Sequence, residues 1–174
     1  DEYLERVVLI YGAAKAYAMT GWRIGAACAP MPIVKAMSAL QSQMTTGANH
    51  PAQWAAATAF GDDRVEPDVK KMVAAFHRRR DRVVARFRAE APGVEFVDPT
   101  GAFYFFFRVD GVAAGLTGTS FCEQAMAAGV AMVPGAAFGD DHWVRMSYAT
   151  SDKELETAID RITALISRLR AKAA

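Results

Sequence analysis

Residues 12–25 read GAAKAYAMTGWRIG, a segment rich in glycine and alanine that carries a single lysine. Short apolar runs at residues 7–10 and 24–29 lie on either side of it and predict two buried strands. Lys15 then lies in the loop that joins these strands. An ammonium group held between buried strands would lose hydration, which favours the neutral and nucleophilic amine. The segment therefore predicts an α/β chain built around a reactive lysine.

Arg23 follows Lys15 by eight residues and stands between Gly21 and Gly25. An arginine fork can bind a phosphate through two parallel hydrogen bonds, and neighbouring glycines let the backbone approach closely. A nucleophilic lysine and a phosphate-binding arginine in one loop are typical of a site for a phosphorylated carbonyl cofactor. On these residues alone, a surface lysine and a structural arginine remain the simpler interpretation.

Composition favours a folded cytoplasmic protein. Hydrophobic residues make up 52% of the 174, which suffices for a core, and the formal net charge of +1 disfavours a nucleic-acid partner. Cys28 and Cys122 lack Cys-x-x-Cys spacing and predict buried free thiols in a reducing compartment. We expect no membrane span, because no apolar run is long enough. His50, His77 and His142 lack metal-ligand spacing, so no metal site is expected.

The rest of the chain alternates helices and strands, with a strand-rich α+β second half. Proline and glycine punctuation predicts helices over residues 32–43, 51–61 and 67–92. Strands are predicted over residues 94–97, 102–109, 130–133 and 143–148. Capping boxes at residues 120–123 and 151–154 predict the starts of two further helices.

Two further patterns follow from the apolar residues of this half. The final helix carries Leu155, Ile159, Ile162, Ile166 and Leu169 on one face, which predicts burial of that face. The aromatic run at residues 103–107 is interpreted as core or interface rather than as a ligand cage.

The segment at residues 12–25 resembles the cofactor-lysine signature of class I (fold-type I) aminotransferases, and most of all their bacterial aspartate aminotransferase branch. The resemblance implies that Lys15 forms the Schiff base with pyridoxal 5'-phosphate and that Arg23 binds the cofactor phosphate. Many members have a serine two or three residues before the lysine. Gly12 and Ala13 stand at those positions, so that phosphate contact is absent or comes from backbone.

A second match lies downstream, where VPG at residues 133–135 and FG at residues 138–139 precede VRMSYA at residues 144–149. This resembles the family's Pro-Gly-x-x-Phe segment and the strand that follows it, which implies that Arg145 binds the α-carboxylate of the substrate. Strand alternation directs Arg145 away from the face of Val144, and a buried arginine requires a carboxylate partner. From the residues alone, a structural ion pair is the simpler interpretation, and the motif favours the substrate role.

Members of the family are longer than this chain, and the polar opening at residues 1–6 is typical of a piece from the middle of a protein. The resemblance implies a C-terminal portion of the pyridoxal-phosphate transferase fold. Residues 1–64 would end the large cofactor-binding domain, residues 65–92 would form the connecting helix, and residues 93–174 would form the small domain.

The resemblance implies transamination between an amino acid and a 2-oxo acid. It favours aspartate and glutamate, and leaves aromatic substrates and prephenate open. Residues 42–46 match a loop that approaches the neighbouring subunit's site, which implies a homodimer. Residues 101–104 match the turn and strand that line the substrate side. A pyridoxal-phosphate lyase, a ligand-sensing domain of a transcription regulator and a portion without independent activity are the alternatives.

Overall fold

The computed structural model describes residues 3–173, so the polar opening of the chain lies partly outside the described residues. The chain divides into two compact units, one ending at Met72 and the other beginning at Val73. The boundary falls inside a single long helix, α4, which spans Glu66–Glu90. Among residues 3–173, no helix combines the length and the apolar character that crossing a membrane requires.

The first unit contains a two-stranded antiparallel ribbon of β1 (Leu9–Gly12) and β2 (Gly25–Cys28). Both strands were predicted, but the prediction that they are buried is wrong. All eight of their residues are exposed, and the side chain of Ile10 is 77% exposed. A short apolar run indicates a strand, whereas burial requires a second layer over it. Among the described residues, the ring of Phe60 lies 6.4 Å from that of Tyr11 between ring centres, but this contact leaves both strands exposed.

The helices of the first unit agree with the proline and glycine signals. A short helix, α1 (Ala13–Ala16), follows β1 directly, and α2 spans Met31–Met44. The next helix, α3, spans His50–Gly61. Asn49 caps α3, because its Oδ1 accepts a hydrogen bond of 3.1 Å from the backbone N–H of Ala52.

The second unit is built on a four-stranded antiparallel sheet with the order β3-β4-β6-β5. Its strands are β3 (Phe96–Val97), β4 (Tyr104–Arg108), β5 (Val133–Pro134) and β6 (Trp143–Ser147). The strand predicted at residues 130–133 is reduced to the two residues of β5. Helices α5 (Gly118–Ala127) and α6 (Asp152–Ala173) complete the unit.

The core of this unit lies on one face of the sheet. Phe105 and Phe107 of β4 and Val144 of β6 are fully buried there, together with Val83 and Phe87 of α4. The apolar stripe of α6 packs into the same cluster, which confirms its predicted face. Burying whole aromatic and aliphatic side chains in this way supplies most of the stabilisation of a domain of this size.

Two capping boxes were predicted, and one of them is misplaced. Helix α6 begins as expected, because Ser151 and Glu154 exchange hydrogen bonds between side chain and backbone. For α5 the N-cap is Thr117, and Ser120 is the third helical residue rather than the cap. The hydroxyl of Ser120 accepts from the backbone N–H of Thr117 at 3.1 Å, the role expected of the acidic residue in such a box.

The two cysteines differ in their surroundings. Cys122 on α5 is buried, as predicted. Cys28, at the end of β2, is exposed, so its predicted burial is wrong for the same reason as that of the ribbon that carries it. Both thiols are free.

Candidate functional site

Lys15 occupies the third position of α1, immediately after β1 ends at Gly12. Ala13 is fully buried and fixes the start of this helical turn, whereas the side chain of Lys15 is exposed. The expected loss of hydration between buried strands is therefore not found, because the strands themselves are exposed. The position nevertheless presents an amine at the end of the ribbon.

Arg23 adopts the left-handed conformation, with φ 52° and ψ 49°, as it ends the 3-10 helix Thr20–Trp22. Its Nη1 donates a hydrogen bond of 3.1 Å to the carbonyl oxygen of Thr20. The left-handed backbone conformation costs conformational free energy for any residue with a Cβ, and residues that adopt it are concentrated at functional sites. The guanidinium is thus tied back to its own turn and leaves its other N–H groups as donors.

The strand register brings the lysine and the arginine to one end of the ribbon. Gly12, at the end of β1, pairs with Gly25, at the start of β2. Lys15 follows the first of these residues by three positions, and Arg23 precedes the second by two. Gly25 is required for this pairing, since a Cβ there would lie 2.8 Å from the carbonyl oxygen of Tyr11.

An open cleft of about 920 Å³ adjoins Arg23 in the first unit, within the size range of small-molecule sites. One wall is formed by residues 21–25, and the other by the end of α2 and the loop that precedes α3. Gln41, Thr45 and Asn49 supply polar groups to this second wall. The cleft can therefore accept an anionic group against Arg23 and the surrounding backbone.

Arg145 lies on β6 in the second unit, on the face of the sheet opposite the core. Its guanidinium carbon lies 4.1 Å from the ring centre of Tyr104 and 4.6 Å from that of Phe138. A structural ion pair is not found, because among residues 3–173 no carboxylate lies within 4 Å of this guanidinium, and a substrate carboxylate as its partner stays a prediction. Two aromatic rings stabilise the charge in its place.

These two rings were not identified as functional from the sequence. Residues 103–107 were interpreted as core or interface. Phe105 and Phe107 lie in the core, whereas Tyr104 lies on the other face of the sheet, because successive strand residues face opposite ways. Phe138 was part of the quoted motif without a role of its own. Two signals in the sequence could have identified these rings. The alternation of side chains along β4 separates Tyr104 from the core residues, and the spacing of the Pro-Gly-x-x-Phe motif includes Phe138.

A tight turn positions Phe138. Gly135 opens the 3-10 helix Gly135–Phe138, and a Cβ at this glycine would lie 2.1 Å from the carbonyl oxygen of Asp140 and 2.7 Å from that of Trp143. Only glycine fits this contact between backbone segments. The Pro-Gly-x-x-Phe segment thus acts as a spacer that carries a ring from the end of β5 to Arg145.

Two carboxylates elsewhere in the second unit are paired. Arg108 donates two hydrogen bonds of 2.7 Å to Asp110, and these hold the pKa of that carboxyl below its usual range. Asp140 accepts hydrogen bonds from the backbone and the ring of His142, which also lower the pKa of its carboxyl. Unlike these groups, Arg145 keeps its charge without a carboxylate among the described residues.

Comparison with known proteins identifies the family. The model of aminotransferase class I and II matches residues 1–162. The aspartate/prephenate aminotransferase of Thermus thermophilus is 39% identical over 165 residues, covering 94% of this chain and 42% of that protein. The aspartate aminotransferase of Rhizobium meliloti is 40% identical, covering 95% of this chain and 42% of that protein.

Solved structures agree with these relatives. An aromatic aminotransferase from Pyrococcus horikoshii aligns with a TM-score of 0.89 at 37% identity, covering 100% of this chain and 46% of that one. The Thermus thermophilus aspartate aminotransferase with maleate gives 0.85 at 39% identity, covering 93% and 42%. The chain thus spans less than half the length of the relatives it matches. It belongs to the class I and II aminotransferase family, whose members depend on pyridoxal phosphate.

Proposed function

We propose that this chain is the C-terminal portion of an aminotransferase that moves an amino group between aspartate or glutamate and a 2-oxo acid. The observation that carries the proposal is the pairing of Gly12 with Gly25, which brings Lys15 and Arg23 to one end of the ribbon. Relatives about 40% identical that are aspartate aminotransferases support the choice of substrate. Residues 1–64, 65–92 and 93–174 would then be the end of the large domain, the connecting helix and the small domain.

The residues at this end of the ribbon fit pyridoxal 5'-phosphate. The exposed amine of Lys15 can condense with an aldehyde, and the guanidinium of Arg23, with one nitrogen bound to Thr20, can donate to a phosphate. A Cβ added at Gly12 or Gly21 would meet no atom within 4 Å, so the backbone is open to a ligand there. When bound, the cofactor supplies an electron sink that makes the Cα–H bond of the amino acid acidic.

Each of the three predicted site residues has a distinct role in the proposal. Lys15 would hold the cofactor through its Nζ, and the same amine would serve as the general base that accepts the proton from the amino acid's Cα. Arg23 binds the phosphate. Arg145 binds and orients the α-carboxylate through paired hydrogen bonds. Residues 42–46 would face the partner subunit of a homodimer.

Covalent labelling tests the cofactor site on this chain. The chain is incubated with pyridoxal phosphate, reduced with borohydride, digested and analysed by mass spectrometry. We expect the label on Lys15, a loss of label in Lys15→Ala, and weaker labelling in Arg23→Gln. Pyridoxal without its phosphate is the matched control, and it should label wild type and Arg23→Gln equally. Equal labelling of Lys15, Lys35 and Lys71 would contradict the proposal.

The reaction itself is tested by turnover of aspartate with and without the 2-oxo acid of glutamate. Transamination requires the second substrate in stoichiometric amount, whereas elimination by a lyase does not. We expect oxo-acid-dependent turnover that is abolished by Lys15→Ala. Turnover that continues without oxo acid would assign the site to a lyase instead.

A further inference from the structure

The environment of the Arg145 side chain differs from that of two other arginines of the second unit. Arg86 and Arg108 each donate hydrogen bonds to carboxylates within 2.7 Å. The guanidinium of Arg145 donates no hydrogen bond to any acceptor among residues 3–173, and it lies instead over the rings of Tyr104 and Phe138. The rings thus hold the guanidinium of Arg145 in place, while its N–H groups remain available to donate hydrogen bonds to a ligand.

The two rings approach from different elements of the second unit. Tyr104 is on β4, where it pairs with Ser147, two residues beyond Arg145 on the neighbouring strand. Phe138 ends the 3-10 helix that follows β5. A ring from a strand and a ring from a turn restrict the guanidinium from two independent anchor points, so a long, flexible side chain is confined to few rotamers.

We propose that Tyr104 and Phe138 are positioning residues that hold the guanidinium of Arg145 ready for a carboxylate, an inference that rests on the function proposed above. Cation–π contact draws on the delocalised charge and leaves the N–H groups free to donate. An arginine already fixed in its binding rotamer loses less conformational entropy when the ligand arrives. The rings therefore raise affinity for a carboxylate without touching it.

Maleate, which is present with the Thermus thermophilus relative, serves as the probe. Its dissociation constant is measured by calorimetry for the full chain and for Tyr104→Leu, Phe138→Leu and the double variant. From the usual strength of cation–π contacts we expect about a threefold rise in Kd for each single variant and about tenfold for both. Phe138→Tyr retains a ring and should restore binding to within about twofold.

Phe96→Leu is the matched control. The ring centre of Phe96 on β3 lies 5.5 Å from the guanidinium carbon of Arg88, so this variant removes a cation–π contact from the same sheet but from another arginine. It should therefore leave Kd unchanged. Nuclear magnetic resonance of the Arg145 Nε–H adds a readout that does not depend on the ligand, because nearby rings displace its chemical shift. That displacement should disappear in the double leucine variant and persist in Phe96→Leu.

Failure of this inference differs from failure of the proposed function. Maleate binding that is lost in Arg145→Ala but keeps its wild-type Kd in both leucine variants would overturn the role of the rings alone. Equal weakening in Phe96→Leu would reduce the effect to general damage of the sheet, and would also overturn it. No binding of maleate to the wild-type chain would contradict the carboxylate-binding role of Arg145, and the inference with it.

Discussion

Arg86 of α4 donates a hydrogen bond of 2.7 Å to Glu156 of α6, seventy residues further along the chain. The same guanidinium also binds Asp160, at 2.6 Å, and Glu90 of its own helix. Only 19% of the Arg86 side chain is exposed, so these pairs are shielded from water more than ordinary surface pairs are. The arginine therefore joins α4 to α6 in the second unit.

We predict that Arg86→Met lowers the free energy of unfolding by about 1.5–3 kcal/mol, the range for hydrogen bonds to charged groups. Methionine keeps most of the aliphatic contact but leaves three carboxylates without their common partner. Chemical denaturation monitored by circular dichroism measures the change. Arg88→Met is the control, because Arg88 is 62% exposed and pairs with the exposed Asp98. A loss no larger than that of the control would show that the network does not join the helices.

Acid should destabilise the second unit through its carboxylates. The Thr150 and Ser151 hydroxyls hold the pKa of Glu154 below its ordinary value of 4.5, and Arg86 does the same for Glu90. Because the pKa is lower in the folded state, the contribution is complete above pH 4.5 and is lost as pH falls through the folded values. We expect denaturant midpoints that are constant from neutral pH to about pH 5 and then decrease.

The contribution of one carboxylate can be isolated by substitution. Glu154→Gln should make the decrease in stability below pH 4.5 less steep, since the glutamine does not titrate. Glu123→Gln removes an exposed carboxylate of α5 that accepts no hydrogen bond from residues 3–173, and it should leave the slope as in wild type. If Glu154→Gln left the slope of stability against pH unchanged below pH 4.5, the predicted contribution of Glu154 would be wrong.

The two thiols should differ in reactivity. Burial, with a smaller effect from the charge of Asp141, raises the pKa of the Cys122 thiol to about 11, so little thiolate forms at mildly alkaline pH. Cys28 is exposed. We predict that iodoacetamide alkylates Cys28 in the folded chain and reaches Cys122 only in urea, as followed by mass spectrometry. In Cys28→Ser, rapid modification of the folded chain would mean that Cys122 is accessible.

The turn that carries Phe138 should tolerate no side chain at Gly135. An added Cβ would meet two backbone carbonyl oxygens at 2.1 and 2.7 Å, so the backbone must shift. We expect Gly135→Ala to lower the free energy of unfolding by about 1–3 kcal/mol, the usual effect of overpacking. Gly111→Ala is the control, because a Cβ there meets no atom within 4 Å. Equal stability of the two variants, by thermal melting, would exclude the close contact.

Local signals predicted the elements of this fold well. Prolines and glycines placed α2, α3 and α4 within about a residue or two of their observed ends, because those residues act on the backbone where they stand. The apolar stripe of α6 was likewise predictable from the sequence, because helical spacing alone decides which residues share a face. Ser120 shows the limit: Thr117, three residues earlier, offered an equally good hydroxyl, and the helix start decided between them.

Non-local features were predicted less well. The burial of the β1–β2 ribbon and of Cys28 depends on what covers them, which no pattern within the strands encodes. For Arg145 the sequence left a structural ion pair with another residue of the chain open, because charge pairing is the usual solution for a shielded arginine. Aromatic rings from a strand and a turn provide another solution, and their meeting depends on tertiary structure.

The aromatic residues of β4 occupy both faces of the sheet, and this has a consequence for strand alignment. Phe105 and Phe107 face the core, and Tyr104 and Phe106 face away from it. If β4 were shifted by one residue, the side chains facing the core would still include phenylalanine or tyrosine. Hydrophobicity of these aromatic residues alone therefore barely distinguishes the two alignments. Arg108 distinguishes them, because the shifted strand would carry its charge into the core. The salt-bridged Arg108 at the end of β4 thus favours the alignment that places the ring of Tyr104 beside Arg145.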